Sequence, residues 1–63
     1  MTYNAPLDAA TAVWLETLDD DAREFFEERA GIAEFDGGLP KFDAEQLAKA
    51  LTEAYLERRG NHA

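Results

Sequence analysis

The chain contains no cysteine, a single histidine, two prolines, and only six basic residues against fourteen acids. Without cysteine there is neither a disulfide staple nor a thiolate metal site. The usual supports of very small secreted domains are therefore missing, and the apolar core must do the stabilising. The lone histidine, His62, stands near the end of the sequence with no partners around it. No nucleophile–histidine pair, phosphate-cradling glycine loop or paired metal-ligand motif can be assembled. We expect no enzyme, no metal and no cofactor. Long apolar runs are absent too, and the opening MTYNAPLDAA lacks the basic start and apolar centre of a signal peptide. The expected location is the cytoplasm.

What the chain does have is acid, unevenly spread. Residues 1–40 hold ten acids and two bases, Arg23 and Arg29, whereas residues 41–63 hold four of each. The net charge of −8 therefore belongs to the first part of the chain. A field of that sign repels nucleic-acid backbones and anionic membranes, favours basic protein surfaces and also serves solubility. A chain of 63 residues makes one domain and buries only about 60% of its unfolded surface, so its stability margin is thin and oligomers become plausible.

The stretch from Phe25 to Leu47 organises the rest. Asp36-Gly37-Gly38 supplies a helix stop, because a glycine can take the left-handed conformation without a Cβ clash. Pro40 cannot continue that helix and pushes Leu39 toward extended geometry. Asp43 then reads as an N-cap, with Gln46 completing a capping box and Phe42 placed to staple onto Leu47. This corner joins two helices, and the whole chain is expected to be an all-α, three-helix bundle in a single domain. The helices are expected over about residues 6–18, 20–35 and 44–59, with 60–63 a frayed tail.

Helical periodicity sorts the faces. Pro6 suits the early turn of the first helix, and Asp8 its positive end. Leu7, Ala10, Trp14 and Leu18 fall on one face, with Asp8, Ala12 and Glu16 outward and Trp14 as the core anchor. In the second helix Asp21 and Glu24 read as a capping box. Ala22, Phe25, Phe26, Ile32 and Ala33 fall on one side there, opposite Asp20, Glu24, Glu27, Glu28 and Glu34. Arg29 lies amid the apolar side and needs a carboxylate, from Asp36, Asp8 or the first turn. In the third helix Ala44, Leu47, Ala48, Leu51, Ala54 and Tyr55 share a face. Leu56 falls off it, among Glu45, Lys49 and Thr52, as the candidate exposed apolar contact.

Two specific chemistries can be weighed on this pattern. Asp19-Asp20-Asp21 lacks the alternating oxygens, glycine turn and distal glutamate of a calcium loop, and adjacent acids already suit a helix N-terminus. Helices joined through a glycine corner also invite comparison with DNA-binding helix-turn-helix units. Here, though, Lys49, Arg58 and Arg59 are balanced by acids, and the second helix would carry glutamates toward phosphates. Direct nucleic-acid binding is not expected.

The segment FEERAGIAEFDGGLPKFDAEQLA, Phe26 to Ala48, resembles a segment of short proteins from proteobacterial phages and integrated mobile elements that reads like FEERAAIxEFDGGLxRxEAExLA. It spans about a third of the chain. Glu27, Glu28, Arg29, Ala30, Ile32, Glu34, Phe35, Asp36, Gly37, Gly38 and Leu39 match, while Lys41, Phe42 and Asp43 depart from the usual sequel. The resemblance implies an origin on a mobile element and carries no catalytic residues.

These features together favour a stoichiometric protein-binding module, similar in general character to anti-CRISPR inhibitors. In that reading the carboxylates of Asp20, Glu24, Glu27, Glu28 and Glu34, with Leu56 as an apolar contact, meet a basic surface such as a nucleic-acid-binding defence complex. The alternative is a structural or regulatory adaptor, or a homodimer, held by apolar surface around Trp14, Tyr55 and Leu56. Under that reading the acidic face is merely solvated.

Overall fold

A computed structural model describes residues 8–60 and shows a small all-α three-helix bundle. Helix α1 spans Ala9–Glu16 and α2 spans Asp20–Gly31. A π-helical turn, Ile32–Asp36, extends α2, and α3 runs from Lys41–Gly60. Among the described residues there is no strand, and no helix is long and apolar enough to cross a membrane. The expected places of Pro6, Leu7, His62 and most of the tail lie outside the described residues.

Helix α1 turns a different face inward from the one its periodicity suggests. Thr11 and Leu15 are buried, Trp14 and Leu18 are partly buried, and Ala10 is exposed. Thr11 can be buried because its hydroxyl donates to Asp8 Oδ2 at 3.2 Å, leaving no unmet polar group. Thr17 ends the helix, its hydroxyl donating to the Trp14 carbonyl at 2.6 Å.

Helix α2 starts at Asp20 as expected, but its cap lies two residues before the expected one. Asp19, not Asp21, is the N-cap, with Oδ1 accepting from the Ala22 amide at 2.9 Å, so Asp20 and Asp21 fall in the first turn beside the positive end of the dipole. The far end follows the expected stop, with one addition. The Gly37 amide donates to Ile32 O at 2.9 Å, which closes the wide π turn, and the Leu39 amide donates to Ala33 O at 3.1 Å. Gly38 has φ +71. A Cβ on Gly37 would lie 2.7 Å from the Ala33 oxygen, so both glycines are required for different reasons.

Helix α3 begins at Lys41, ahead of the expected Asp43 cap. The Ala44 amide donates to Pro40 O at 2.9 Å, and a proline whose φ is already helical starts the helix without a side-chain cap. Asp43 sits inside the first turn. Phe42 is not stapled to Leu47: the two project about 140° apart on the helix, and they are 49% and 45% exposed.

The core is made mostly of small residues. Ala22, Phe26, Ala30 and Ala33 of the second element face Ala44, Ala48 and Thr52 of α3, with Leu15 of α1 closing the cluster. Alanines on both sides let the helices approach closely. The line of closest approach on α3 is therefore Ala44–Ala48–Thr52, and Leu47, Leu51 and Ala54, expected on the inner face, are exposed. Glu45, expected outside, is fully buried, whereas Leu56, expected outside, is half-buried. Trp14 meets Phe26 edge to face, with centroids 5.5 Å apart. Lys49 Nζ lies 5.4 Å from the Trp14 ring centroid, so α1 covers the flank of the α2–α3 hairpin that carries Lys49.

Candidate partner-binding site

Among the described residues the opposite flank of that hairpin is open. Its orientation is set by Phe25 of α2 and Tyr55 of α3, whose rings stack with centroids 4.6 Å apart and planes 11° from parallel. Because α2 and α3 run antiparallel, the residues one and two turns after Phe25 (Arg29 and Ile32) share this flank with those one and two turns before Tyr55 (Leu51 and Leu47).

At the outer end of this flank, Asp21, Glu24 and Glu28 rim a cleft floored by Phe25 and Tyr55. The sequence explains the grouping. Asp21, Glu24, Phe25 and Glu28 follow i, i+3, i+4, i+7 spacing and so form one helical ridge. Two guanidinium groups already lie on the aromatic pair. Arg29 sits 5.2 Å from the Phe25 centroid and Arg59 sits 5.6 Å from that of Tyr55, as expected for cations over ring faces.

The ion pairs leave this cleft with surplus negative charge. Arg29 reaches Glu28 at 3.6 Å rather than Asp36, Asp8 or a first-turn acid, because stacking on Phe25 holds it beside its neighbour. Its Nε is buried with no hydrogen-bond partner among the described residues. Asp21 and Glu24 make no ion pair among the described residues. Arg59 is spent on Asp19, so three carboxylates face one arginine, Arg29, and this surplus attracts an incoming guanidinium or ammonium group. Among the described residues no three acidic or histidine side chains come together closely enough to hold a metal ion.

The other end of the aromatic pair is tied down. Arg59 grips Asp19 with two contacts, Nη2–Oδ2 at 2.9 Å and Nη1–Oδ1 at 3.3 Å, joining the last turn of α3 to the cap of α2. The Ala22 amide first, and Arg59 second, hold the Asp19 carboxyl below its ordinary range, and Asp19 in turn holds Arg59 above its own.

The candidate residues read from the sequence do not form one site. Glu24 and Glu28 line the cleft. Asp20 is almost fully exposed and leans toward Arg23 at 3.7 Å, while Glu27 is exposed and Glu34 half-buried, neither lining the cleft. Leu56 is half-buried and absent from it as well. Asp21, Phe25 and Tyr55 complete the cleft; the acid–aromatic alternation along α2 signals the first two, whereas Tyr55 arrives from α3 and has no local signal. Compared with known proteins, the chain matches no protein-family model, no curated protein and no solved structure.

Proposed function

We propose that this chain is a small, non-enzymatic, acidic binding module of phage or mobile-element origin. It acts in the cytoplasm by presenting the carboxylates of α2 to a basic, nucleic-acid-binding protein surface, and its most specific form is an inhibitor of anti-CRISPR type. The observation that carries this reading is the gathering of Asp21, Glu24 and Glu28 around the Phe25–Tyr55 stack. There, arginine or lysine side chains that otherwise hold phosphates find opposite charge beside the edges of two rings. Asp20, Glu27 and Glu34 extend the negative field on either side and steer the encounter.

The test is affinity capture of the tagged protein from a bacterial host carrying defence systems, washed at low and high salt, with mass spectrometry of what remains. Screening shortens from about 10 Å at 0.1 M to about 3 Å at 1 M salt. A nucleic-acid-binding complex retained at low salt, released at high salt and lost in the Asp21→Lys/Glu24→Lys/Glu28→Lys variant supports the proposal. A partner recovered equally at both salts, or equally by that variant, contradicts it.

A second reading, a structural or regulatory adaptor, is favoured by the apolar side chains around the corner, where Phe35, Leu39 and Phe42 are 45%, 37% and 49% exposed. Under it, one mobile-element protein is recovered regardless of salt.

A further inference from the structure

We infer that the chain forms an antiparallel, two-fold homodimer through the outer face of α3. The inference stands independently of the acidic cleft. Its starting point is an imbalance in burial. Among the described residues only two large apolar side chains, Leu15 and Phe26, are buried, whereas seven are exposed, including Leu47 at 45% and Leu51 at 41%. Isolated exposed leucines are ordinary. These two lie one turn apart on the side of α3 that neither α1 nor α2 covers, with exposed Ala50 and Ala54 between and beyond them.

Charge selects a second copy as the occupant. Residues 1–40 carry the whole net charge of −8, while residues 41–60 hold four acids and four bases. Two copies meeting through α2 would set like charges against each other. Helix α3, which carries four acids and four bases, can approach its own copy without that cost.

The pattern on the face is also self-complementary. The exposed positions Asp43, Leu47, Ala50, Leu51, Ala54 and Arg58 map onto themselves when the chain direction is reversed about a point between Ala50 and Leu51. In an antiparallel pair, Leu47 then meets Ala54 of the second copy, Leu51 meets its Ala50, and Arg58 meets its Asp43. Large faces small, and base faces acid at both ends, which is what an isologous interface demands. Neither Asp43 nor Arg58 makes an ion pair among the described residues.

The test is sedimentation equilibrium of the full chain from about 1 μM to about 1 mM, spanning the affinities of small interfaces. The expected mass rises from 7.0 kDa to twice that value, and a mass of one chain at every concentration overturns the proposal. Leu51→Arg abolishes the rise while the helical circular dichroism is kept. Asp43→Arg and Arg58→Asp each weaken the dimer by about three- to tenfold, two exposed pairs being lost per dimer. The double variant Asp43→Arg/Arg58→Asp returns to within about twofold of the parent. A dimer indifferent to Leu51→Arg, or a double variant no better than the single ones, overturns the interface.

Discussion

Phe25 and Tyr55 stack nearly parallel, 4.6 Å between centroids, and in doing so join α2 to α3 and form the floor of the acidic cleft. Stability and the candidate site therefore share a pair of residues. Tyr55→Phe keeps the stack and is expected to leave the melting temperature nearly unchanged. Tyr55→Ala removes the stack and the apolar area beneath it, a loss of about 1–3 kcal/mol, read as a lower thermal midpoint.

The three glycines around the second helix answer differently to the same substitution. Gly31 lies in helical geometry with nothing near a prospective Cβ, so Gly31→Ala is expected to stabilise by up to about 1 kcal/mol. Gly37→Ala drives a methyl into the Ala33 carbonyl, 2.7 Å away, and destabilises by opening the π turn. Gly38→Ala costs about 1 kcal/mol through its positive φ alone. Denaturant midpoints of the three variants rank them 31, 38, 37, most stable first. A destabilised Gly31→Ala contradicts the open geometry of that position.

Asp19 gives the fold an acid-side dependence. Its carboxyl is held below the ordinary value of 3.8 by the Ala22 amide and by Arg59. The charged form is thus favoured in the folded state, and its stabilisation is complete above the unfolded value and disappears as pH falls through the lower folded one. Asp19→Asn is expected to melt several degrees lower than the parent at pH 7. That gap should close as both are titrated below the ordinary carboxylate range. A gap unchanged at low pH contradicts the ionic role of Asp19, since the asparagine amide oxygen can still cap the helix.

The small-residue core predicts intolerance in both directions. Phe26 is fully buried, and Phe26→Ala is expected to cost about 3–5 kcal/mol, comparable to all the stability a chain this short commands. The variant should lose its cooperative melt. Ala48, also fully buried between the helices, has no room for growth, and Ala48→Leu is expected to cost about 1–3 kcal/mol by forcing α2 and α3 apart. Ala50→Leu, on the exposed face, should leave the monomer's helical content intact.

The corner was legible in the sequence because its signals are local. Gly37, Gly38 and Pro40 each restrict the backbone by their own chemistry, and the helix stops where they stand. Faces were less legible, because both α1 and α3 are rotated from the side their large residues suggest. The cause is tertiary. Alanine lines on α2 and α3 allow an approach so close that Leu47 and Leu51 cannot fit between them, and Thr11 becomes a core residue once Asp8 accepts its hydroxyl. The caps lie two or three residues ahead of where the local signals point, at Asp19 and Pro40. The first of three aspartates, Asp19, is the one with Arg59 opposite it, forty residues away in sequence. Of the candidate site, the carboxylates were visible as an acidic face, but the split into a cleft-lining ridge and an outer one depends on where Tyr55 lands.

Occupation of the Phe25–Tyr55 cleft by a basic side chain is most directly tested by following the aromatic ring and amide resonances of the labelled protein during titration with an arginine-rich peptide, at low and at high salt. Saturable shifts concentrated on the Phe25 and Tyr55 rings and on Asp21, Glu24 and Glu28, and lost in the Asp21→Lys/Glu24→Lys/Glu28→Lys variant, are the predicted result. Shifts spread evenly over every acid, including Glu27, Asp36 and Glu53, or the absence of shifts at the ring pair, would contradict it.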